Sequence, residues 1–335
     1  MLVVRTSGST GDPRAVLLSG DALRASGEAT AARIGGPGRW LLALPPQHIA
    51  GAQVLVRSVL AGTNPVVLPD GPFRAPVFTD AVRRLTHDGP RYTSLVPTQL
   101  VRVLDDPEAT AALAGLDAVL VGGAASAPDL LGRARAAGVR VVTTYGMSET
   151  CGGCVYDRRP LDRVSVRLST TGRVLLAGPV LATGYLGRPD LDSVAFSELD
   201  GVRYHVTNDV GVLDPTGELR IVGRADDVIL TGATNVPPGP VEALLVTLPG
   251  VLEACVVGVP DPEWGQLVVA VLVLRPGAGA PALEEVRDLV TRVLPAAHAP
   301  RRLLSVPSLP LRGPGKIDRR AVAHHAAAAL ERSPA

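Results

Sequence analysis

The sequence predicts an α/β protein, with a large N-terminal α/β domain that includes a small β region, and a small C-terminal α+β domain. Three observations over its 335 residues predict this class. Short β-branched runs alternate with Ala- and Leu-rich segments as far as Gly146. Short runs separated by turn residues follow between Ser165 and Ile221, and a compact mixture of strands and helices closes the chain after Asp227.

The alternation in the N-terminal part indicates a parallel, doubly wound sheet. Apolar runs that end in Gly or Pro predict strands at 39–45, 64–69, 92–97, 116–123 and 139–146. Segments with Asp, Thr or Pro near their starts predict helices at 21–34, 78–88 and 127–138. These helices are thus expected to connect neighbouring strands of the sheet.

The remaining chain changes character twice. The stretch "DPTGELRIVG" at 214–223 predicts a hairpin with glycine at its turn. After it, the pattern predicts an α+β segment, with helices near 240–248 and 283–294, strands at 254–259 and 267–275, a strand and loop near Lys316, and a terminal helix in 321–335. We place the domain boundary at Arg224–Asp227, which gives domains 1–224 and 225–335.

The composition argues against two classes of partner. The formal net charge is +1, and the arginines are interspersed with Asp and Glu, whereas nucleic-acid binding needs clustered positive charge. The longest strongly apolar run, 267–274, is far shorter than the ~20 residues of a membrane helix. Three cysteines and the lack of a signal-peptide pattern fit a reducing cytosol. We therefore expect a cytoplasmic protein with no nucleic-acid partner and no membrane insertion.

The first candidate site is the loop "TSGSTGDPR" from Thr6 to Arg14, directly after a short strand. Its glycines, hydroxyl side chains and terminal arginine could surround phosphate oxygens with N–H, O–H and guanidinium donors. The loop lacks the G-x-x-x-x-G-K-[ST] pattern of the common phosphate-binding loop. A flexible Gly/Ser turn is an equally good interpretation of this segment taken alone.

The second candidate is "YGMSET" at 145–150, which ends a predicted central strand and follows the end of another, "VGGA" at 121–124. Open α/β sheets bind ligands at the carboxyl ends of their strands. Tyr145 could stack on a base, Ser148 could bond a phosphate, and Glu149 could hold Mg²⁺ through oxygen. A capped turn between strand and helix would produce the same hexapeptide.

Two further candidates lie toward the C-terminus. Asp209 and Arg224 are polar residues at predicted strand ends and are suited to ribose hydroxyls, or they form a surface ion pair worth ~0–1 kcal/mol. Lys316 is the only lysine among 33 basic residues. The ammonium of lysine is a compact charge, whereas the guanidinium of arginine is broad and planar. A site that inserts a positive charge between a carboxylate and a phosphate would therefore require lysine. Chance retention is the alternative.

Together these motifs resemble the adenylate-forming acyl-CoA synthetase superfamily, in the expected order and over nearly the whole chain. "TSGSTGDPR" is similar to its phosphate loop, "YGMSET" to its Tyr-Gly-x-Ser/Thr-Glu motif, "VTNDVG" to its ribose-binding motif, "GRADDVI" to its hinge and "LPLRGPGKIDRR" to its lysine loop. "LLALPPQHIAGAQVLVRSVLAG", "YGMSETCGGCVYD" and the short chain most resemble o-succinylbenzoate–CoA ligases of menaquinone biosynthesis. The resemblance implies stacked N-terminal sheets and a mobile C-terminal domain.

The resemblance implies a reaction in two steps. A carboxylic acid and ATP form an acyl-adenylate with Mg²⁺, and coenzyme A then displaces AMP. The implied catalytic residues are Lys316, Ser148, Glu149 as the Mg²⁺ ligand, and His48 at the acyl pocket. The implied ATP-binding residues are Thr6, Ser7, Gly8, Ser9, Thr10, Gly11, Arg14, Gly123, Ala124, Tyr145, Gly146, Asp209 and Arg224. Asp226 is the implied hinge and Gly232 lines the path of CoA; a homodimer remains open.

This chain departs from the family pattern at several positions. Arg14 stands where lysine is usual, Asn208 replaces a glycine, and Pro240 replaces an acidic residue. Only five residues precede the phosphate loop. Two alternatives follow from these departures: a CoA ligase for another aromatic or aliphatic acid, and a truncated homologue that binds nucleotide without efficient turnover.

The pair "CGGC", Cys151 and Cys154, could be a redox pair or half of a zinc site. No second pair exists in the sequence, and Cys255 lies in a predicted buried strand. We therefore favour small residues that shape the substrate pocket, and we expect no metal except transient Mg²⁺.

Overall fold

A computed structural model describes residues 1–6, 14–312 and 316–332, with Arg312 and Lys316 described as backbone. Contacts within the chain define two compact units. Unit 1 comprises Met1–Ser169, Val174–Thr207 and Leu213–Arg220, and unit 2 comprises Thr170–Arg173, Asn208–Val212 and Ile221–Ala335. In the part of the chain that the structure describes, no helix has the length and apolar character needed to cross a membrane.

The elements of unit 1 follow one another in short alternation. Its helices are α1 (Gly20–Ile34), α2 (Ile49–Leu60), α3 (Ala75–Arg83), α4 (Pro97–Leu104), α5 (Pro107–Ala114), α6 (Pro128–Ala136) and α7 (Pro189–Ala195). Its strands are β1 (Leu2–Thr6), β2 (Arg14–Leu18), β3 (Arg39–Leu42), β4 (Val66–Val67), β5 (Arg91–Leu95), β6 (Ala118–Val121), β7 (Val141–Met147), β8 (Gly152–Tyr156), β9 (Arg159–Pro160), β10 (Ser165–Leu168), β11 (Arg173–Ala177), β12 (Gly184–Tyr185) and β13 (Phe196–Leu199). Strands β14 (Val202–Leu213) and β15 (Leu219–Arg224) contain residues of both units.

Unit 1 is built on a seven-stranded sheet in the order β4-β3-β5-β6-β7-β8-β9. The pairs from β4 to β7 are parallel, and those from β7 to β9 are antiparallel. Consecutive residues of β3 enter different apolar clusters: Leu41 joins Phe78 of α3, and Leu42 joins Val54 of α2. Because helices cover both faces, the central strands are buried on both sides, and in β6 every residue is buried. The predicted parallel sheet of an α/β protein is confirmed.

Four helices of unit 1, α2, α4, α5 and α7, are absent from the sequence prediction, and prolines at or just before their starts explain why. Pro97 and Pro107 mark strand ends or loops in the sequence, but each opens a helix, α4 and α5, where the missing N–H costs nothing. Helix α2 follows two prolines and carries Gly51, where an ideal Cβ would lie 2.3 Å from the carbonyl oxygen of Pro45. Helix α3 also begins earlier than predicted, because Pro76 belongs to its first turn.

Two smaller sheets complete this part of the chain. Strands β1, β2 and β12 form an antiparallel sheet in that order. Strands β10, β11, β14 and β13 form another, in which β15 also pairs with β14. The predicted hairpin at 214–223 is present: Asp214 N donates to Glu218 O at 3.1 Å, and Gly217 takes a positive φ of 81°.

Unit 2 is an α+β assembly, as the sequence predicts. Its further strands are β16 (Ile229–Thr231), β17 (Thr234–Val236), β18 (Val251–Asp261), β19 (Gly265–Leu274), β20 (Arg302–Val306), β21 (Leu311–Arg312) and β22 (Lys316–Ile317), and its helices are α8 (Pro238–Leu245), α9 (Leu283–Thr291) and α10 (Arg319–Arg332). The sheet has the order β17-β16-β19-β18, with β20 parallel to β19. Val268 and Val269 of β19 enter different apolar clusters, so helices cover both faces.

Candidate active site

The ends of the first hairpin hold the described part of the phosphate-loop motif. Thr6 and Arg14 are paired residues of β1 and β2. The guanidinium carbon of Arg14 lies 5.7 Å from the centroid of the Tyr185 ring. The other predicted residues of this loop lie outside the described residues; they are Ser7, Gly8, Ser9, Thr10 and Gly11. The hairpin therefore presents a cation at the mouth of the loop.

A single helical turn, Ser148–Thr150, follows β7 and carries the predicted metal ligand. Thr150 fixes the turn, because its Oγ1 accepts from Met147 N at 3.0 Å and donates to Gly152 O at 2.7 Å. Ser148 is buried and Glu149 is half-buried. A carboxylate on such a rigid turn has few orientations open to it.

Tyr185 of β12 holds the carboxylate of Glu149. The Tyr185 hydroxyl donates to Glu149 Oε1 at 2.7 Å. Burial raises the pKa of Tyr185 above its ordinary value, and the negative charge of Glu149 raises it further. Within the described ranges, Oε2 of Glu149 accepts no hydrogen bond. An anionic oxygen of this kind fits a hard cation such as Mg²⁺.

The backbone around this turn is too crowded for side chains. An ideal Cβ on Gly146 would lie 2.1 Å from the carbonyl oxygen of Gly152 on β8, far inside van der Waals contact. A Cβ on Gly122 would lie 2.2 Å from Thr144 Oγ1. The close approach of β6, β7 and β8 therefore requires glycine at these two positions.

The residues predicted to frame adenine come from two neighbouring strand ends. Strands β6 and β7 pair in parallel, with Val121 opposite Thr143. Gly123 and Ala124 directly follow β6, and Tyr145 lies near the end of β7. The structure thus brings these three residues to the carboxyl edge of the sheet, where open α/β sheets bind ligands.

Helix α2 contributes residues that the sequence interpretation did not single out. His48, expected at the acyl pocket, is the residue that precedes the helix. One turn into the helix, Gln53 Nε2 donates to Cys151 O at 2.8 Å, which joins α2 to the turn of Glu149. A buried glutamine in an otherwise apolar helix was the available signal.

Arg57 lies one turn beyond Gln53 and is 7% exposed. Its Nη2 donates to Thr30 Oγ1 and Tyr156 Oη, both at 3.2 Å, and its guanidinium carbon lies 5.1 Å from the centroid of the Trp40 ring. None of the carboxylates in the described residues pairs with it. Helix α2 thus carries a buried guanidinium whose hydrogen bonds go to neutral oxygens and which lies near the Trp40 ring.

The two cysteines beside this turn are inert. Cys151 and Cys154 are buried, and burial raises the pKa of each thiol to about 12. Over the ranges described, no three His, Cys, Asp or Glu side chains are arranged to hold a metal ion. The interpretation that these small residues shape the substrate pocket stays a prediction.

The candidate ribose residues form one charged cluster in unit 2. Arg224 Nη1 donates to Asp209 Oδ1 at 3.1 Å. The same guanidinium donates from Nε and Nη2 to the two oxygens of Asp226, both at 2.8 Å. Asn208 Nδ2 reaches Asp226 Oδ2 at 3.4 Å, and Arg173 Nη2 donates to Asn208 Oδ1 at 2.7 Å. Three predicted residues, Asp209, Arg224 and Asp226, are therefore brought into direct contact.

The last two candidates lie on loops of unit 2. Gly232 takes a positive φ of 52°, and its N–H donates to Trp264 O at 2.9 Å. Its ideal Cβ would lie 3.0 Å from the Trp264 ring, so the close approach of this ring and the positive φ both favour glycine here. Lys316 is paired with Arg312 in the β21–β22 hairpin.

Known proteins resemble this chain over most of its length. Residues 2–185 match the AMP-binding enzyme family, and residues 240–316 match the AMP-binding enzyme C-terminal domain. The chain is 49% identical over 324 residues to a probable 2-succinylbenzoate–CoA ligase of Mycobacterium tuberculosis, covering 96% of this chain and 83% of that protein.

Two solved structures of one enzyme are also similar. The o-succinylbenzoate CoA synthetase of Bacillus subtilis, in complex with the acyl-adenylate intermediate OSB-AMP, gives a TM-score of 0.81 at 27% identity, covering 96% of this chain and 68% of that one. The same enzyme with ATP and magnesium ion gives a TM-score of 0.79 at 27% identity, covering 95% and 68%. The resemblance to adenylate-forming enzymes is confirmed, and this chain belongs to the AMP-binding enzyme family.

Proposed function

We propose that this protein is an acid–thiol ligase that joins 2-succinylbenzoate to coenzyme A through an acyl-adenylate. The observation that carries the proposal is the half-buried carboxylate of Glu149, which Tyr185 orients at the end of β7. Its second oxygen is uncommitted among the described residues, as a Mg²⁺ ligand requires. The choice of acid rests on the 49% identity to the mycobacterial protein.

The reaction consists of two displacements. In the first, an oxygen of the substrate carboxylate attacks the α-phosphorus of ATP, and the bond to pyrophosphate breaks. In the second, the sulfur of CoA attacks the acyl carbonyl and loses its proton, and the bond to AMP breaks. Because the first step brings two anions together, the site must lower their repulsion.

In unit 1, the proposed roles concern the phosphates. Bound Mg²⁺ would offset phosphate charge and orient the leaving group. Glu149 holds that ion, Arg14 and the loop from Thr6 to Gly11 bind the β- and γ-phosphates, and Ser148 bonds the α-phosphate. The 5.7 Å approach of Arg14 to the Tyr185 ring supports this, because it keeps the cation near Glu149.

In unit 2, the proposed roles concern ribose and the moving charge. Asp209 and Arg224 bind the ribose, and their 3.1 Å contact holds the two side chains side by side. Lys316 bridges the carboxylate and the α-phosphate during adenylation only. We propose Asp226 as the hinge between domains 1–224 and 225–335, with the second domain mobile, and Gly232 beside the path of CoA.

The test is a substrate panel with purified protein, ATP, Mg²⁺ and CoA. We expect AMP release with 2-succinylbenzoate to exceed that with benzoate, succinate and medium-chain fatty acids by at least about tenfold, since a missing polar contact costs that much or more. Preference for another acid would contradict the substrate assignment, and tight ATP binding without AMP release would contradict the enzyme assignment.

Location and assembly are proposed on separate grounds. Cys151, Cys154 and Cys255 are free thiols, which supports a cytoplasmic location. A homodimer stays a prediction; light scattering will distinguish one copy of 34.6 kDa from two.

A further inference from the structure

Arg319 is the first residue of α10, three positions after Lys316, and groups from other elements surround its guanidinium. Nη1 and Nη2 donate to Glu242 Oε1 and Oε2 of α8 at 2.6 and 2.7 Å. Nη1 also donates to the carbonyl oxygen of Val256 on β18 at 3.0 Å, and Nε lies 3.1 Å from Asp227 Oδ2. We call Arg319, Glu242 and Asp227 the Arg319 clamp.

The clamp is partly withdrawn from water, unlike most ion pairs of this protein. The side chains of Arg319, Glu242 and Asp227 are 25%, 15% and 24% exposed. Burial disfavours the ionised guanidinium, but the two carboxylates outweigh it, and the pKa of Arg319 is raised. Because Glu242 Oε1 also accepts from Val256 N at 2.7 Å, the glutamate is fixed on both sides. The planar guanidinium can reach both carboxylates and the carbonyl oxygen at once, whereas the compact ammonium of a lysine cannot make the same set of contacts.

The backbone between Arg319 and Lys316 is held by short-range hydrogen bonds. Asp318 N donates to Pro310 O at 2.8 Å, across the base of the β21–β22 hairpin. Asp318 Oδ1 accepts from Ala321 N at 3.2 Å and so caps the start of α10. These two bonds tie the start of α10, where Arg319 lies, to the base of the β21–β22 hairpin.

We propose that Arg319 is a positioning residue for Lys316, and that its clamp fixes the backbone of β22, which carries Lys316, to the segment directly after the hinge. Asp227 follows Asp226, whose own carboxylate is bound by Arg224. The carboxylates of Asp226 and Asp227 thus pair with different arginines, Arg224 and Arg319. A backbone rotation at Asp226 would therefore move Asp227, the rest of the Arg319 clamp and Lys316 together. This inference rests on the proposed function, in which Lys316 acts in adenylation only.

The experiment separates the two half-reactions in Arg319→Lys. Adenylation is followed by ATP–pyrophosphate exchange with 2-succinylbenzoate, and thioester formation by supplying the acyl-adenylate and CoA. We expect exchange to fall about 10- to 100-fold, because a misplacement near 1 Å costs that much, while thioester formation stays within about threefold. Arg292→Lys is the matched control, since Arg292 is exposed and, among the described residues, its side chain donates only to Asp288 O in the last turn of α9.

Each outcome decides the inference. Exchange in Arg319→Lys within about threefold of Arg292→Lys, or equal loss of both half-reactions, would overturn the positioning role. If Arg319→Lys does not fold, Glu242→Gln, which preserves shape and removes one charge, must show the same selective loss of exchange. Absence of exchange in the parent protein would refute the proposed function itself, whereas exchange that survives Arg319→Lys refutes this inference alone.

Discussion

Tyr185→Phe removes one oxygen from the candidate magnesium site and leaves the packing around it intact. Tyr185 is 3% exposed, and its ring would keep its contacts with Arg14 and Phe196. The lost group is the hydroxyl that donates to Glu149 Oε1 at 2.7 Å. A hydrogen bond to a charged acceptor is worth about 1.5–3 kcal/mol, so we expect the free energy of unfolding to fall by that amount.

The same change should weaken Mg²⁺ binding. Partners that orient a metal ligand typically contribute 10- to 100-fold to affinity, so we expect the apparent Mg²⁺ affinity in the presence of ATP to drop about tenfold. The pH dependence has a defined sign. The pKa of Tyr185 is higher in the folded protein than its ordinary value of 10.0. The protonated phenol therefore stabilises the folded state fully below pH 10, and this stabilisation is lost as the pH rises through the pKa of the folded state. The difference between parent and variant should therefore narrow above pH 10.

The assay combines urea unfolding at several pH values with calorimetric titration of Mg²⁺ into protein and ATP. Tyr92→Phe is the control, because the Tyr92 hydroxyl donates to the carbonyl oxygens of Ile34 and Gly36 at 3.3 and 3.2 Å and touches no carboxylate. That variant should lose stability and keep its Mg²⁺ affinity. Unchanged Mg²⁺ affinity in Tyr185→Phe would refute the reasoning.

Three further predictions concern other parts of the chain. Lys316→Arg should lower ATP–pyrophosphate exchange by about 100-fold or more and spare thioester formation from supplied adenylate. The reason is that a broad, planar guanidinium cannot replace a compact ammonium between the carboxylate and the α-phosphate. Equal loss of both activities would contradict this. Gly146→Ala should lower the free energy of unfolding by about 3 kcal/mol or more, since its Cβ would lie 2.1 Å from Gly152 O. Gly132→Ala, where no atom lies near the new Cβ, should leave the stability unchanged or raise it. Equal urea midpoints for the two variants would contradict this. The three buried thiols, whose pKa values burial raises to about 12, should react with a disulfide reagent at pH 8 only after unfolding, and rapid reaction of the native protein would show that they are accessible.

Much of the fold could be predicted because burial on both faces leaves a mark in the sequence. The strands β3 and β6 contain continuous apolar runs within the predicted segments, and β5 and β7 overlap theirs. The parallel order of these strands is typical of a sheet covered by helices on both faces. The helices that begin at Pro97 and Pro107 could not be predicted in this way. Proline both ends strands and opens helices, and only the surrounding packing distinguishes the two uses.

The candidate site was predictable where chemistry is confined to one short segment. Glu149 and Ser148 share a hexapeptide, and Arg14 ends a loop of hydroxyl and glycine residues. Arg57 was not predictable, because nothing in an arginine-rich sequence distinguishes one buried guanidinium from 32 basic neighbours, most of them at the surface. Burial of a charge is a property of the packed protein.

The sequence by itself determined the class of fold, the order of the motifs and the family, because apolar periodicity, glycine-rich turns and a lone lysine are local features. Only the tertiary structure decided which distant side chains meet. Tyr185 reaches Glu149 across 36 residues, and Arg319 reaches Glu242 across 77. Such pairs depend on how strands and helices from separate parts of the chain pack together, and no local pattern of residues specifies that geometry.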